Sequence, residues 1–110
     1  MLYYRRNVFE KAGLPSDPES VSNLVVTWDD YLAVCRTVKE KAGSYCFAHN
    51  KANNYGRLYK MVLWERGLGY YDATTGEVTI DSPENIETLE MLGRFWQEDL
   101  VSDLLEWTDP

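Results

Sequence analysis

Long apolar runs are absent: the longest uninterrupted one, Met61 to Trp64, falls far short of the roughly 20 residues that span a bilayer as a helix. No signal peptide precedes Leu2, so the chain as it stands reads as soluble. Histidine is nearly missing, with His49 alone, and cysteine is limited to Cys35 and Cys46. Positive charge is in deficit too. Eleven Lys and Arg against 18 Asp and Glu give a formal net charge of -7, which repels phosphate backbones and excludes nucleic acid as an expected partner. There is no Gly-rich phosphate loop, nucleophile elbow or metalloprotease helix, and no repeat or low-complexity tract.

What the chain has is apolar and aromatic surface. At 110 residues and 45% hydrophobic content it reads as one domain, 1–110, able to bury a core and with no room for a second. Four Trp, eight Tyr and three Phe exceed what a plain helical core requires, and aromatic surface is what sugar-binding and protein-binding sites use.

Local patterns divide the chain into elements. Leu2 to Tyr4 reads as the end of a strand, followed by Asn7 as a cap and a short helix through Phe9 and Ala12 to Gly13. Residues 14–26, with Pro15, Pro18 and three Ser, carry no helical period and read as an exposed connection. Thr27 with Asp30 approximates a capping box, and Trp28, Tyr31, Leu32, Cys35 and Val38 follow the spacing of one helical face in a helix that ends at Gly43. Trp28 is expected to pack under the first turn of this helix.

Tyr45 to His49 reads as a short strand, and residues 51–54 as a polar turn into a helix carrying Leu58, Tyr59, Val62 and Leu63. Residues 70–72 and 77–80 flank Thr74, Thr75 and Gly76 as a hairpin. Ser82 and Pro83 open a last helix whose expected inner stripe is Ile86, Leu89, Gly93 and Trp96. The fold class is therefore α+β and mostly helical.

Sites for chemistry are few. With 27–42 helical and 44–49 a returning strand, Cys35 lies about 12 Å before the helix end and Cys46 about 10 Å back, so the thiols sit level. Two buried reduced thiols are the favoured reading and a disulfide the other. A metal site on Cys35, Cys46 and His49 lacks a fourth ligand of clear spacing, and on a strand Cys46 and His49 face opposite ways. Adjacent carboxylates at Asp29 and Asp30, or at Glu98 and Asp99, point apart on a helix and do not make a glycosidase pair. No enzyme, metal or cofactor is expected.

Three segments together resemble family-1 extracellular solute-binding proteins, which serve carbohydrate ABC importers. The first is Tyr4, Arg5, Arg6, Asn7, Val8, Phe9, Ala12, Gly13 and Leu14, where Arg5 stands for the usual Asn and Asn7 for the usual Asp. The second is Thr27, Trp28, Asp29, Asp30 and Tyr31, without the usual preceding Pro. The third runs from Gly67 to Ile80 and on through Asp81, Ser82, Pro83, Glu84 and Asn85. The resemblance covers nearly the whole chain and implies a fragment entering the second lobe of a two-lobed fold. It further implies an extracytoplasmic parent, periplasmic or a cell-surface lipoprotein, that binds a carbohydrate and delivers it to a permease. Surfaces left without the rest of the lobe, including Leu2, Tyr3 and the last helix, imply self-association.

In that family the turn after the strand often presents an aromatic ring to the sugar, which points here to Asn53, Asn54, Tyr55 and Arg57. A sugar ring packs its C–H face on an aromatic ring while its hydroxyls need partners of the kind Asn and Arg carry. The other reading of Tyr55 is that it merely begins the apolar stripe of its helix. The competing reading of the whole chain is a small helical protein–protein interaction module without a small-molecule ligand.

Overall fold

The computed structural model describes residues 2–48 and 55–103, the side chain of Tyr55 excepted. Among these residues five α-helices, α1 Arg6–Lys11, α2 Pro18–Leu24, α3 Trp28–Thr37, α4 Tyr55–Glu65 and α5 Pro83–Gln97, accompany two short strands, β1 Phe47–Ala48 and β2 Val101–Ser102. This is the α+β, mostly helical class that the sequence implies. The residues fall into two compact units, one reaching to Phe47 and taking in Asp99–Ser102, the other holding Ala48–Glu98.

In the first unit the helix starts follow from side-chain caps. The Thr27 hydroxyl accepts from the Asp30 amide at 3.1 Å while the Asp30 carboxylate accepts from the Thr27 amide at 2.9 Å, completing the expected capping box. α3 continues as a π-helical stretch, Val38–Ala42, and stops where Gly43 adopts φ +67°, a conformation open to glycine without side-chain strain. The core joins Phe9, Ala12, Val21, Val34, Val38 and Ala42, with Tyr4 and Leu14 packed against it. Cys35 and Cys46 form a disulfide. That overturns the favoured reading of two reduced thiols and removes both sulfurs from any metal site; the bond ties α3 to the chain entering β1.

Other expectations for this unit are corrected. Residues 2–4 belong to no strand among the described residues, because strand structure needs a partner ladder that no described segment supplies. Asn7 lies inside α1, whose capping position is Arg5 with no side-chain cap. The segment read as a plain connection contains α2, capped by Asp17, whose carboxylate accepts from the Ser20 amide at 2.8 Å, with Pro18 in the first turn. The two prolines masked this Asp-Pro helix start.

In the second unit α4 buries Val62 and Leu63 and packs on α5. Gly67, at φ +71°, follows the end of α4. The hairpin is reduced to a single antiparallel bridge between Tyr71 and Val78, turned by Gly76 at φ +74°. The inner stripe of α5 is Asn85, Thr88, Leu92 and Phe95, one residue earlier than expected at each position, and Ile86 and Leu89 are exposed. The reason is polar. Asn85 Nδ2 donates to the carbonyls of Gly69 and Thr79, both at 2.9 Å, and Thr88 Oγ1 accepts from Arg66. Satisfying those groups inside turns the helix away from its most apolar stripe.

Candidate functional site

The turn proposed from the sequence is only partly in view. Asn53 and Asn54 lie outside the described residues, Tyr55 is the first residue of α4, and Arg57 is exposed in its first turn. Positions 55 and 57 are two apart on a helix, a spacing that does not share a face. Leu58 and Tyr59 are half-buried along the stripe that leads to Val62 and Leu63. Tyr59 donates its hydroxyl to the Asn85 carbonyl at 3.0 Å and its ring centre lies 6.2 Å from that of Tyr70. Burial, with the neighbouring Tyr70, raises its phenol pKa.

A second arrangement, which the sequence reading did not single out, lies wholly within the first unit. A cavity of about 300 Å³ is lined by Tyr3, Tyr4, Arg5, Phe9, Tyr31 and Tyr45 among others. The rings of Tyr4 and Tyr31 and the backbone of Tyr45 are held by contacts within the unit. Tyr4 donates its hydroxyl to the Ser16 carbonyl at 3.1 Å and packs against Phe9, ring centres 5.0 Å apart. Tyr31 sits between Trp28, met edge-on at 6.0 Å, and Phe47, stacked at 6.1 Å. Burial pushes the Tyr31 phenol up to about 12, which keeps it a neutral hydrogen-bond donor at all ordinary pH.

Tyr45 follows Gly43 and directly precedes the disulfide-bonded Cys46, so the cross-link fixes its backbone beside α3. The Lys39 ammonium stands 3.5 Å from the Tyr45 ring centre and pairs with Asp99 at 3.0 Å. Asp99, in the left-handed region at φ +53° just after α5, is one of the acidic residues weighed as a catalytic pair. It is instead a counter-ion, and Asp30 is a helix cap. The signal for the cavity was present as tyrosines at 3, 4, 31 and 45, but their convergence depends on the fold.

Among the described residues no three His, Cys, Asp or Glu side chains converge as a metal site, and no helix is long and apolar enough to cross a membrane. The geometry defines a mostly helical α+β chain with an aromatic-walled cavity. No family model matches it, and no solved structure matches it. The chain is 33% identical, over 92 residues and 84% of its length, to the arabinooligosaccharide-binding protein of Halalkalibacterium halodurans. It spans 19% of that protein's length.

Proposed function

We propose that this chain serves in carbohydrate capture, as part of the second lobe of an extracytoplasmic solute-binding protein that hands its ligand to an ABC permease. The observation that carries the reading is its 33% identity, along 84% of its length, to a protein named for binding arabino-oligosaccharides. Two further features support it. The Cys35–Cys46 disulfide suits the oxidising compartments in which such bonds persist. Cavity walls rich in tyrosine suit the apolar faces of sugar rings.

The ligand contacts in this reading are Asn53, Asn54, Tyr55 and Arg57, with Tyr55 stacking on a sugar ring. Calorimetric titration of the protein with arabino-oligosaccharides tests the reading. Tyr55→Ala is expected to cost about 1–3 kcal/mol of binding with the melting temperature nearly unchanged. Unchanged affinity removes Tyr55 from the site, and an equal loss of stability makes it a packing residue.

A further inference from the structure

The cavity of the first unit has a chemistry of its own. Its volume of about 300 Å³ is at the lower end of the roughly 300–1,000 Å³ that small-molecule sites span, a size for one ring and not for a chain of them. Its lining is rich in aromatic side chains. Tyr3 is 86% exposed, and Tyr45 has one face covered by Lys39, which leaves the opposite face for a ligand. The Tyr3 phenol adds a hydroxyl donor and acceptor to these apolar faces.

One charged side chain lines this cavity. Arg5 is exposed, and among the described residues its guanidinium has no ion-pair partner. Lys39, close by, is already committed to Asp99 and the Tyr45 ring. The chain as a whole, at net -7, repels anions, so attraction for a carboxylate here has to be local to Arg5. A planar guanidinium binds a carboxylate through two parallel hydrogen bonds, and aromatic rings bind the C–H face of a sugar.

We propose that this cavity binds a single sugar-acid ring, a hexuronate, with its C–H face on Tyr3 and Tyr45 and its carboxylate on Arg5. The proposal rests on reading the chain as a carbohydrate binder, and it uses residues different from those of the 53–57 turn. Calorimetric titration of the 110-residue chain at low salt compares two matched pairs, galacturonate with galactose and glucuronate with glucose. Each pair differs at C6 alone, carboxylate against hydroxymethyl.

At least one uronate is expected to bind about fivefold more tightly than its neutral partner, the gain of a solvent-exposed ion pair. Arg5→Gln is expected to remove that preference while circular dichroism and melting temperature stay the same, and Tyr3→Ala to weaken both members of the pair. Equal affinities in the unmutated chain, a preference that survives Arg5→Gln, or no binding of any of the four sugars overturns the proposal. Arabino-oligosaccharide separates the two readings. If it binds, and loses affinity with Tyr55→Ala, a failure with the uronates belongs to the cavity alone. If it also fails to bind, the carbohydrate reading itself falls.

Discussion

Asn85 is 1% exposed, and its amide donates to two carbonyls, those of Gly69 and Thr79, that belong to the loop before α5. Asn85→Ala removes both bonds at once and should cost about 2 kcal/mol in chemical unfolding. Asn85→Asp is expected to be at least as harmful near neutral pH, because a carboxylate presents only acceptors to those oxygens. Trp28 is half-buried and meets Tyr31 edge-on, so Trp28→Ala should cost about 2 kcal/mol, less than a fully buried aromatic. The carboxylates of Asp17, Asp30 and Asp72 titrate below their ordinary 3.8. For Asp17 the main cause is the Ser20 amide, for Asp30 the Thr27 amide, and for Asp72 the amides of Thr75 and Thr74. A lowered folded pKa means stability that is present above the ordinary value and lost as pH falls through the lowered one. Melting temperature should therefore hold from neutral pH to about pH 4 and fall below it, and Asp30→Asn should flatten part of that fall.

At the scale of elements, the disulfide closes a short loop between α3 and β1, from Cys35 to Cys46. A loop of about a dozen residues is worth roughly 3 kcal/mol through the entropy it removes from the unfolded chain. Reduction, or the Cys35→Ser, Cys46→Ser pair of substitutions, should therefore lower the melting temperature clearly, as read by calorimetry with and without reductant. It should also loosen Tyr45, whose ring shares Lys39 with Asp99. The caps act on a smaller scale. Thr27→Ala removes the hydroxyl that accepts from the Asp30 amide and should cost about 1 kcal/mol.

At the scale of the whole molecule, exposed apolar side chains stand out on each unit. Leu2, Tyr3 and Val26 are exposed in the first, and Met61, Trp64, Tyr71, Val78, Ile86 and Leu89 in the second. Surfaces of this kind seek partners, and the chain spans only 19% of the relative it matches. Self-association is the expected outcome, seen by light scattering as a mass that rises with concentration across the micromolar range. A constant monomer mass across that range would count against it.

The sequence by itself determined the fold class and most of the helix ends, because caps and glycine stops act over three or four residues. Thr27 with Asp30, Gly43, and Ser82 with Pro83 each do in the structure what their local chemistry dictates. The second helix was missed for a local reason as well, since Asp17 and Pro18 read equally as a turn and as a helix start. Only the tertiary structure decided the rest. Periodicity fits two adjacent stripes of α5, and the Asn85 and Thr88 hydrogen bonds to groups as far off as Gly69 and Arg66 select between them. Local geometry sets Cys35 and Cys46 level but does not decide whether they bond, and whether the tyrosines at 3, 4, 31 and 45 share a cavity depends on distances between separate segments that no local pattern carries.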